Sequence, residues 1–184
     1  MNARKVEPLA WLILLIGAGA LARFWDLSWQ FSHNDDIGVA KTILDARMPG
    51  SLRALLAIPR QWTYAPVQFF LTFFLVRPDQ GYREILFWGR LPSCLAAIGG
   101  LGAFAFFYRR FREDWFPRML PALALLAFSW QFIIYSKHMS NYAIGVTACI
   151  GMMILLLGLV QKPSLSWKGA LGAGLVLSFL SHVS

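Results

Sequence analysis

Charged side chains are scarce in this sequence, and hydrophobic ones are abundant. Asp, Glu, Lys and Arg make up 14% of the 184 residues, against 58% hydrophobic residues and a mean hydropathy of +0.55. Such a composition is too apolar for a typical soluble domain. The chain also has 8 Trp and 15 Phe, which suit the interfacial belts and lipid-facing helices of a membrane protein.

Cysteine and acidic residues are also in short supply. The two cysteines, Cys94 and Cys149, each lie within an apolar run, where buried thiols are the default and nothing indicates a disulfide or a metal site. The chain has 9 acidic residues and 17 Lys and Arg, which gives a net charge of +8. Because the basic residues mostly flank apolar runs, we attribute this charge to the positive-inside rule and lipid headgroups and expect no nucleic-acid partner.

The first apolar run extends from Pro8 to Ala22 and follows a short polar segment that contains Arg4 and Lys5. It is short for a transmembrane helix, but Arg23 can snorkel and the aromatic residues beside it can sit at the interface. Residues 20–22 also resemble a signal-peptidase site after a basic segment and an apolar core. We favour an uncleaved first span, because several more apolar runs follow.

The distribution of Lys and Arg determines the topology that we predict. With the N-terminus in the cytoplasm, a span at residues 62–76 would put the basic cluster at 109–112, Lys162 and Lys168 outside. If residues 62–76 do not span, all of these basic residues fall inside, as the positive-inside rule favours. We therefore expect residues 62–76 to be interfacial or re-entrant, with their backbone polar groups covered by protein or water.

The predicted fold is an all-α polytopic membrane protein with about five transmembrane helices and interfacial helices in a long first external loop. The spans are predicted at about 8–25, 87–108, 119–136, 139–161 and 168–184, and the external loop at about 26–86. The last run has only begun to cross at Ser184. We therefore expect residues 1–184 to be the N-terminal portion of a single, longer transmembrane domain.

A polar stretch at residues 32–36, just beyond the first apolar run, contains two adjacent carboxylates. Apolar residues at 37, 40, 43, 44 and 48 recur behind it at helical spacing, and Pro49 ends the pattern. Ser32 or Asn34 can cap this helix, and the helix dipole favours ionised Asp in its first turn. The pattern predicts an interfacial amphipathic helix that holds both carboxylates in water. Ordinary helix capping by Asp is the alternative explanation of the two carboxylates.

Four short motifs follow one another along the chain. They are an aromatic and acidic segment at 29–36, a Pro-aromatic segment at 65–70, Arg-Leu-Pro-Ser at 90–93 and Tyr-Ser-Lys at 135–137. In this order they resemble the N-terminal part of integral-membrane glycosyltransferases of the GT-C superfamily. The closest types are families 39 and 83, which include protein O-mannosyltransferases and lipid A aminoarabinose transferases.

The resemblance implies a glycosyltransferase in a bacterial inner membrane of the cell envelope, with its N-terminus in the cytoplasm. Its donor would be a polyprenyl-phosphate sugar, and its acceptor a glycan, lipid or protein on the external face. The resemblance maps the reaction centre to Asp35, with Asp36 beside it where relatives have Glu. A positioned carboxylate there can accept the proton of the attacking hydroxyl.

Cationic groups are needed to hold the leaving phosphate. The candidate substrate-binding residues are Arg90, Arg60, Arg83, Tyr64 and Lys137. For any single arginine, snorkelling or lipid-headgroup contact is the alternative interpretation.

A divalent-metal site is left open by the sequence. His33, Asp35 and His138 fall on the external side together with Asp36, and they are candidate ligands. His33 is also explained as a polar residue at the start of a helix. Asn141 stands where some relatives have a second acidic residue, which weakens the case for a two-carboxylate site.

A non-catalytic function is the alternative hypothesis. The chain would then be a polytopic membrane protein, such as a transporter or an assembly subunit, that retains the fold. Asp35 at the motif position favours the enzyme, whereas Asn141 favours the alternative. The interiors of the predicted spans carry no ionisable residues, which weakens the transporter form of this hypothesis.

Overall fold

The computed structural model describes residues 3–28, 34–46, 66–111, 115–139 and 142–161, with 168–169, 171–172 and 174. Within these ranges the chain is helical and contains no strand, which confirms the all-α class. The helices are α1 (Ala3–Phe24), α2 (Asn34–Ala46), α3 (Pro66–Leu75), α4 (Tyr82–Phe111), α5 (Trp115–Phe128), α6 (Trp130–Ser136) and α7 (Tyr142–Gln161).

Helix α4 is the element on which the others pack. Its 30 residues give it a length of about 45 Å, and it contacts each of the other six helices. Ala97, Leu101 and Ala105 recur every four residues, which places them on one face of α4. This face is buried in the main hydrophobic core, where it is joined by Met119 and Leu123 of α5.

The contact between α4 and α7 depends on a glycine. A Cβ placed on Gly100 would lie 2.7 Å from the Oγ1 atom of Thr147, closer than side chains tolerate. Thr147 Oγ1 donates a hydrogen bond of 2.7 Å to the carbonyl of Ala96 on α4. The absence of a side chain at Gly100 therefore allows the two helices to approach closely and to hydrogen-bond.

Helices α5 and α6 form a bent pair where the sequence predicts one continuous span at 119–136. The two helices meet at 52° across Ser129. Ser129 has φ −57° and ψ 118°, and its hydroxyl accepts a hydrogen bond of 3.4 Å from the Phe132 N–H. It therefore caps α6. The break leaves carbonyls at the end of α5 without partners inside the helix.

Arg23 of α1 donates to these carbonyls. Its Nη1 atom lies 2.8 Å from Ala127 O and 2.8 Å from Gly19 O, and Nη2 lies 3.4 Å from Leu126 O. The guanidinium also lies 4.8 Å from the centroid of the Phe132 ring, a cation–π distance. Because the side chain is 0% exposed, the expectation that Arg23 snorkels is wrong. Its charge lies at the negative end of α5 instead.

A buried polar network attaches α3 to α4. Gln68 Nε2 donates to Thr72 Oγ1 at 3.0 Å and to Gly89 O at 3.1 Å, while Ser93 Oγ donates to Gln68 Oε1 at 3.1 Å. The outer face of α3 carries exposed aromatic rings, with Phe74 74% exposed. With 10 residues, α3 is about 15 Å long, half of a hydrocarbon core.

Helix α2 lies in the predicted position, but its buried face is rotated. Val39 and Ile43 are almost fully buried, with Ala40 and Leu44 packed beside them. Ile37, predicted on this face, is 50% exposed. The inward face instead begins with Asp36, whose partners lie on other helices.

The membrane-spanning potential of the helices is uneven. Within the described residues, Tyr82–Phe106 of α4 is long and apolar enough to cross a membrane, and the bent α5–α6 pair would add a second crossing if it acts as one. The apolar parts of α1 and α7, Leu9–Phe24 and Tyr142–Ile154, are shorter. The five predicted spans therefore stay a prediction, and most of the last one, 168–184, lies outside the described residues.

Candidate functional site

Four segments that are distant in sequence meet at one end of the helical bundle. They are the turn after α1, the first turn of α2, the first third of α4 and the turn between α6 and α7. They bring together the side chains of Asp36, Arg90, Lys137 and His138, which we call the polar cluster. All four are candidates named from the sequence.

The centre of the polar cluster is a buried ion pair between α2 and α4. Arg90 Nη2 and Nε donate to the same carboxylate oxygen, Asp36 Oδ2, at 2.7 and 3.2 Å. Both side chains are 0% exposed. Arg90 Nη1 also donates to Leu27 O in the turn after α1, at 2.8 Å. Arg90 therefore connects three segments at once.

The turn after α6 completes the surroundings of Asp36. The backbone N–H of Met139 donates to Asp36 Oδ1 at 2.7 Å, and His138 Nδ1 lies 3.4 Å from Oδ2. Burial raises the pKa of the Asp36 carboxyl, but the hydrogen bonds from His138, Arg90 and Met139 and the charge of Arg90 outweigh this effect. The net result is a pKa below the usual range, so Asp36 is ionised at neutral pH.

Asp36 is thus not held in water, and that part of the sequence prediction is wrong. The prediction treated the Asp pair as solvated because it follows a polar stretch. The long-range partners Arg90 and Met139 instead bury the carboxylate and satisfy both of its oxygens. This arrangement suits Asp36 for positioning α2 against α4.

Lys137 is a buried cation for which the described residues supply one hydrogen-bond acceptor to the side chain. Its side chain is 4% exposed, and its Nζ atom donates to Trp25 O at 2.6 Å. An ammonium group has three donors. No other acceptor for them is found among residues 3–28, 34–46, 66–111, 115–139 and 142–161. Burial lowers the pKa of Lys137, while the nearby charge of Asp26 acts in the opposite direction.

Asp26 is a residue of this site that the sequence reading missed. Its φ is 55°. No other non-glycine residue in the described part of the chain has a positive φ. Such a conformation is uncommon outside glycine, although Asp tolerates it better than most residues. No motif surrounds Asp26, so only its position relative to Lys137 reveals it.

The other predicted site residues are separate from the polar cluster or outside the described residues. Arg83 is exposed in the first turn of α4, about 10 Å along the helix from Arg90. Asp35 belongs to the first turn of α2, but its side chain lies outside the described residues. His33, Arg60 and Tyr64 also lie outside them.

The described residues do not by themselves make a metal site. Among them, no group of three His, Cys, Asp or Glu side chains is close enough to bind one ion. Asp36 and His138 do approach each other, but Asp36 is already paired with Arg90, whose charge disfavours a nearby cation. The predicted set of His33, Asp35 and His138 stays a prediction, because two of its side chains lie outside the described residues.

Comparison with known proteins matches this chain to no protein-family model, no curated protein and no solved structure. The polar cluster and the order of the sequence motifs are therefore the features of this chain that bear on its function.

Proposed function

We propose that this chain belongs to a polytopic membrane glycosyltransferase that moves a sugar from a polyprenyl-phosphate donor to an external acceptor. The observation that carries the proposal is the ammonium group of Lys137. It is buried, it has one hydrogen-bond acceptor in the described part of the chain, and it lies beside an ion pair that is already neutral. A buried cation in this state is suited to bind an anion.

The phosphate of the donor is the anion that fits this position. As the bond between the anomeric carbon and the phosphate oxygen breaks, the oxygen keeps the electron pair and gains negative charge. An ammonium group that is fixed and partly desolvated stabilises this charge more effectively than a mobile one in water. Arg90 contributes by holding the turn after α1, which carries the carbonyl that Lys137 contacts.

The two neighbouring aspartates then have different roles. Asp36 is ionised and fully hydrogen-bonded, so it positions the first turn of α2. Asp35, next to it, is the proposed general base, as the resemblance to GT-C glycosyltransferases implies. It accepts the proton of the acceptor hydroxyl while the oxygen of that hydroxyl bonds to the anomeric carbon.

The exposed surface of the bundle supports its placement in a membrane. Large hydrophobic side chains face outward on several helices, including Ile13 at 63%, Phe106 at 70%, Leu125 at 75% and Val160 at 79% exposure. Exposed apolar surface of this extent is unusual on a soluble monomer and normal against lipid. We therefore propose a polytopic protein of the bacterial inner membrane with a cytoplasmic N-terminus and the polar cluster on the external side.

The test is a substitution at Lys137 in the full-length protein, embedded in membranes. Lys137→Met removes the charge and keeps the length of the side chain, so we expect the affinity for a polyprenyl-phosphate sugar to fall about 10-fold or more. Lys137→Arg should restore part of this loss. Lys41→Met, at an exposed position of α2, is the matched control and should bind normally.

Turnover provides the second readout. Asp35→Asn should reduce transfer about 100-fold, the usual scale for a general base. If the unsubstituted protein transfers none of a panel of polyprenyl-phosphate sugars, the proposed reaction is wrong. Unchanged donor affinity in Lys137→Met would show that Lys137 does not bind the phosphate of the donor.

The non-catalytic alternative is favoured by one specific observation. Both carboxylate oxygens of Asp36 accept hydrogen bonds, from Arg90 and from the Met139 N–H, and Arg90 also donates to Leu27 O. A fully hydrogen-bonded carboxylate of this kind is what a purely structural role requires. In that case, substitutions at Asp36 would lower stability, and Asp35→Asn would change no measurable activity. Substitutions at Asp35 and Lys137 therefore distinguish the two hypotheses, because only the enzyme should lose turnover or donor affinity. Substitutions at Asp36 lower stability under both.

A further inference from the structure

The bend between α5 and α6 determines where Lys137 lies. Lys137 is the C-cap of α6, and its backbone N–H donates to Ile134 O at 2.9 Å. At the rise of an α-helix, it is about 12 Å further along the chain than Ser129, where the bend occurs. Because the two helices meet at 52°, straightening the pair would move the backbone of Lys137 by about 10 Å. Such a movement would separate its Nζ atom from Trp25 O.

A straight helix would need the carbonyls that Arg23 now contacts. In a continuous α-helix, Leu126 O and Ala127 O would accept hydrogen bonds from the N–H groups one turn later. In the structure, Arg23 donates to both carbonyls, at 3.4 and 2.8 Å. The guanidinium therefore replaces the backbone donors that the break at Ser129 removes, and its charge lies at the negative end of α5.

The end of α1 also contacts the other arm of the bend. The Arg23 guanidinium lies 4.8 Å from the centroid of the Phe132 ring on α6, and Phe132 is 6% exposed. Trp25, just after Arg23 in sequence, provides the carbonyl to which Lys137 Nζ donates at 2.6 Å. The last carbonyls of α5, a ring of α6 and the ammonium group after α6 are thus all bound by one short segment of α1 and the turn that follows it.

We propose that Arg23 is a positioning residue that keeps the α5–α6 pair bent and thereby holds the Lys137 ammonium in the polar cluster. This inference rests on the proposed function, in which Lys137 binds the phosphate of the donor. Arg23 touches neither donor nor acceptor and acts through the bend. When the pair is straight, Lys137 is withdrawn from the site, so the bend controls donor binding.

A proline at position 130 separates this role from a general contribution of Arg23 to stability. Trp130 is the first residue of α6, and its side chain is 72% exposed. Proline suits the first position of a helix, and the ψ of 118° at Ser129 suits the residue before a proline. Proline has no N–H with which to continue α5. Trp130→Pro therefore favours the bend whether or not Arg23 is present.

The experiment measures binding of polyprenyl phosphate to the full-length protein in membranes. Arg23→Met should weaken binding about 10-fold or more, because Lys137 is displaced. Adding Trp130→Pro to Arg23→Met should restore most of the affinity, and Trp130→Pro alone should bind normally. Arg77→Met, at an exposed position after α3, is the matched control and should also bind normally.

A milder substitution provides the same comparison if Arg23→Met does not insert correctly. Arg23→Lys keeps the charge but loses the planar fork that reaches several carbonyls at once. We expect a smaller loss of affinity in Arg23→Lys than in Arg23→Met, and recovery when Trp130→Pro is added.

The distance between spin labels on α1 and α6 measures the bend without any ligand. Cysteines at Leu21 and Tyr135, which are 63% and 44% exposed, carry the labels in a background without Cys94 and Cys149. Straightening would move Tyr135 by about 8 Å, so Arg23→Met should change the distance between the labels by up to this amount. The variant that also carries the proline should keep the distance of the unsubstituted protein.

The possible contradictions distinguish this inference from the proposed function. An unchanged label distance in Arg23→Met would overturn the inference, and so would weak binding that the added proline fails to restore. The proposed function would stand in both cases, provided that Lys137→Met loses affinity. If Lys137→Met binds polyprenyl phosphate normally, the proposed function loses its anion site, and the positioning of Lys137 for that site is overturned with it.

Discussion

Removing the Asp36 carboxylate should destabilise the bundle more than any surface substitution. Asp36→Ala removes the carboxylate oxygen to which Arg90 Nη2 donates at 2.7 Å, at a site where both side chains are 0% exposed. Breaking a buried ion pair from one side costs about 3–5 kcal/mol. The Met139 N–H, now 2.7 Å from Asp36 Oδ1, also loses its acceptor. An unsatisfied buried donor costs about 1–3 kcal/mol.

These two losses share one carboxylate, so they do not add in full. We expect Asp36→Ala to lower the free energy of unfolding by about 3–5 kcal/mol. Reversible unfolding in detergent micelles, followed by circular dichroism, measures this change. Asp45→Ala, at an exposed position of the same helix, is the control and should leave stability unchanged.

A double substitution tests whether the ion pair itself is responsible. Asp36→Leu combined with Arg90→Met removes both charges, so no buried charge is left without a partner. The combined loss should be smaller than the sum of the single losses by about 1 kcal/mol or more. A loss below about 1 kcal/mol in Asp36→Ala, or strict additivity in the double variant, would refute this account of the polar cluster.

Acid should destabilise the protein through the same carboxylate. Because the pKa of Asp36 is lowered on folding, its contribution to stability is fully present above its unfolded pKa of about 4 and is lost as the pH falls below that value and through the lower pKa of the folded state. Asp36→Asn should flatten the stability profile in this acidic range, and an unchanged profile would contradict the assignment. Gly100→Ala should lower stability by about 1–3 kcal/mol, because its Cβ meets Thr147. Gly99→Ala, with nothing within 4 Å, should not, and equal effects would be evidence against a close α4–α7 contact. In a background without Cys94 and Cys149, a cysteine at Asp79 should react with an impermeant thiol reagent from outside, and one at Glu113 should not; the reverse labelling would invert the predicted topology after residue 76.

The helices were predictable where apolar runs and charges agree. The apolar run after Arg90 predicted the body of α4, and the polar stretch at 32–36 predicted the start of α2. The break at Ser129 was not predictable, because one serine in an apolar run changes hydropathy little. Its effect depends on the Phe132 N–H and on Arg23, which lies about a hundred residues away in sequence.

The polar cluster was predictable as a set of residues but not as a set of contacts. The motifs pointed to Asp36, Arg90 and Lys137 separately. Their pairing spans 54 residues between Asp36 and Arg90 and 112 between Trp25 and Lys137, and no local pattern encodes such distances. The side of α2 that faces the bundle was predicted in part. Ile43 is buried there as predicted, but Ile37 is exposed, because the inward face begins with Asp36, which pairs with Arg90.

The contacts of Arg23 have a consequence for biosynthesis. The acceptors of its guanidinium on α5 lie 103 and 104 residues later in the chain. At ordinary translation rates of about 5–20 residues per second, α1 exists for about 5–20 s before those carbonyls are synthesised. During that interval the arginine must be shielded by the insertion machinery, by water or by lipid headgroups. The contacts between Arg23 and α5 therefore form only after α5 has been synthesised.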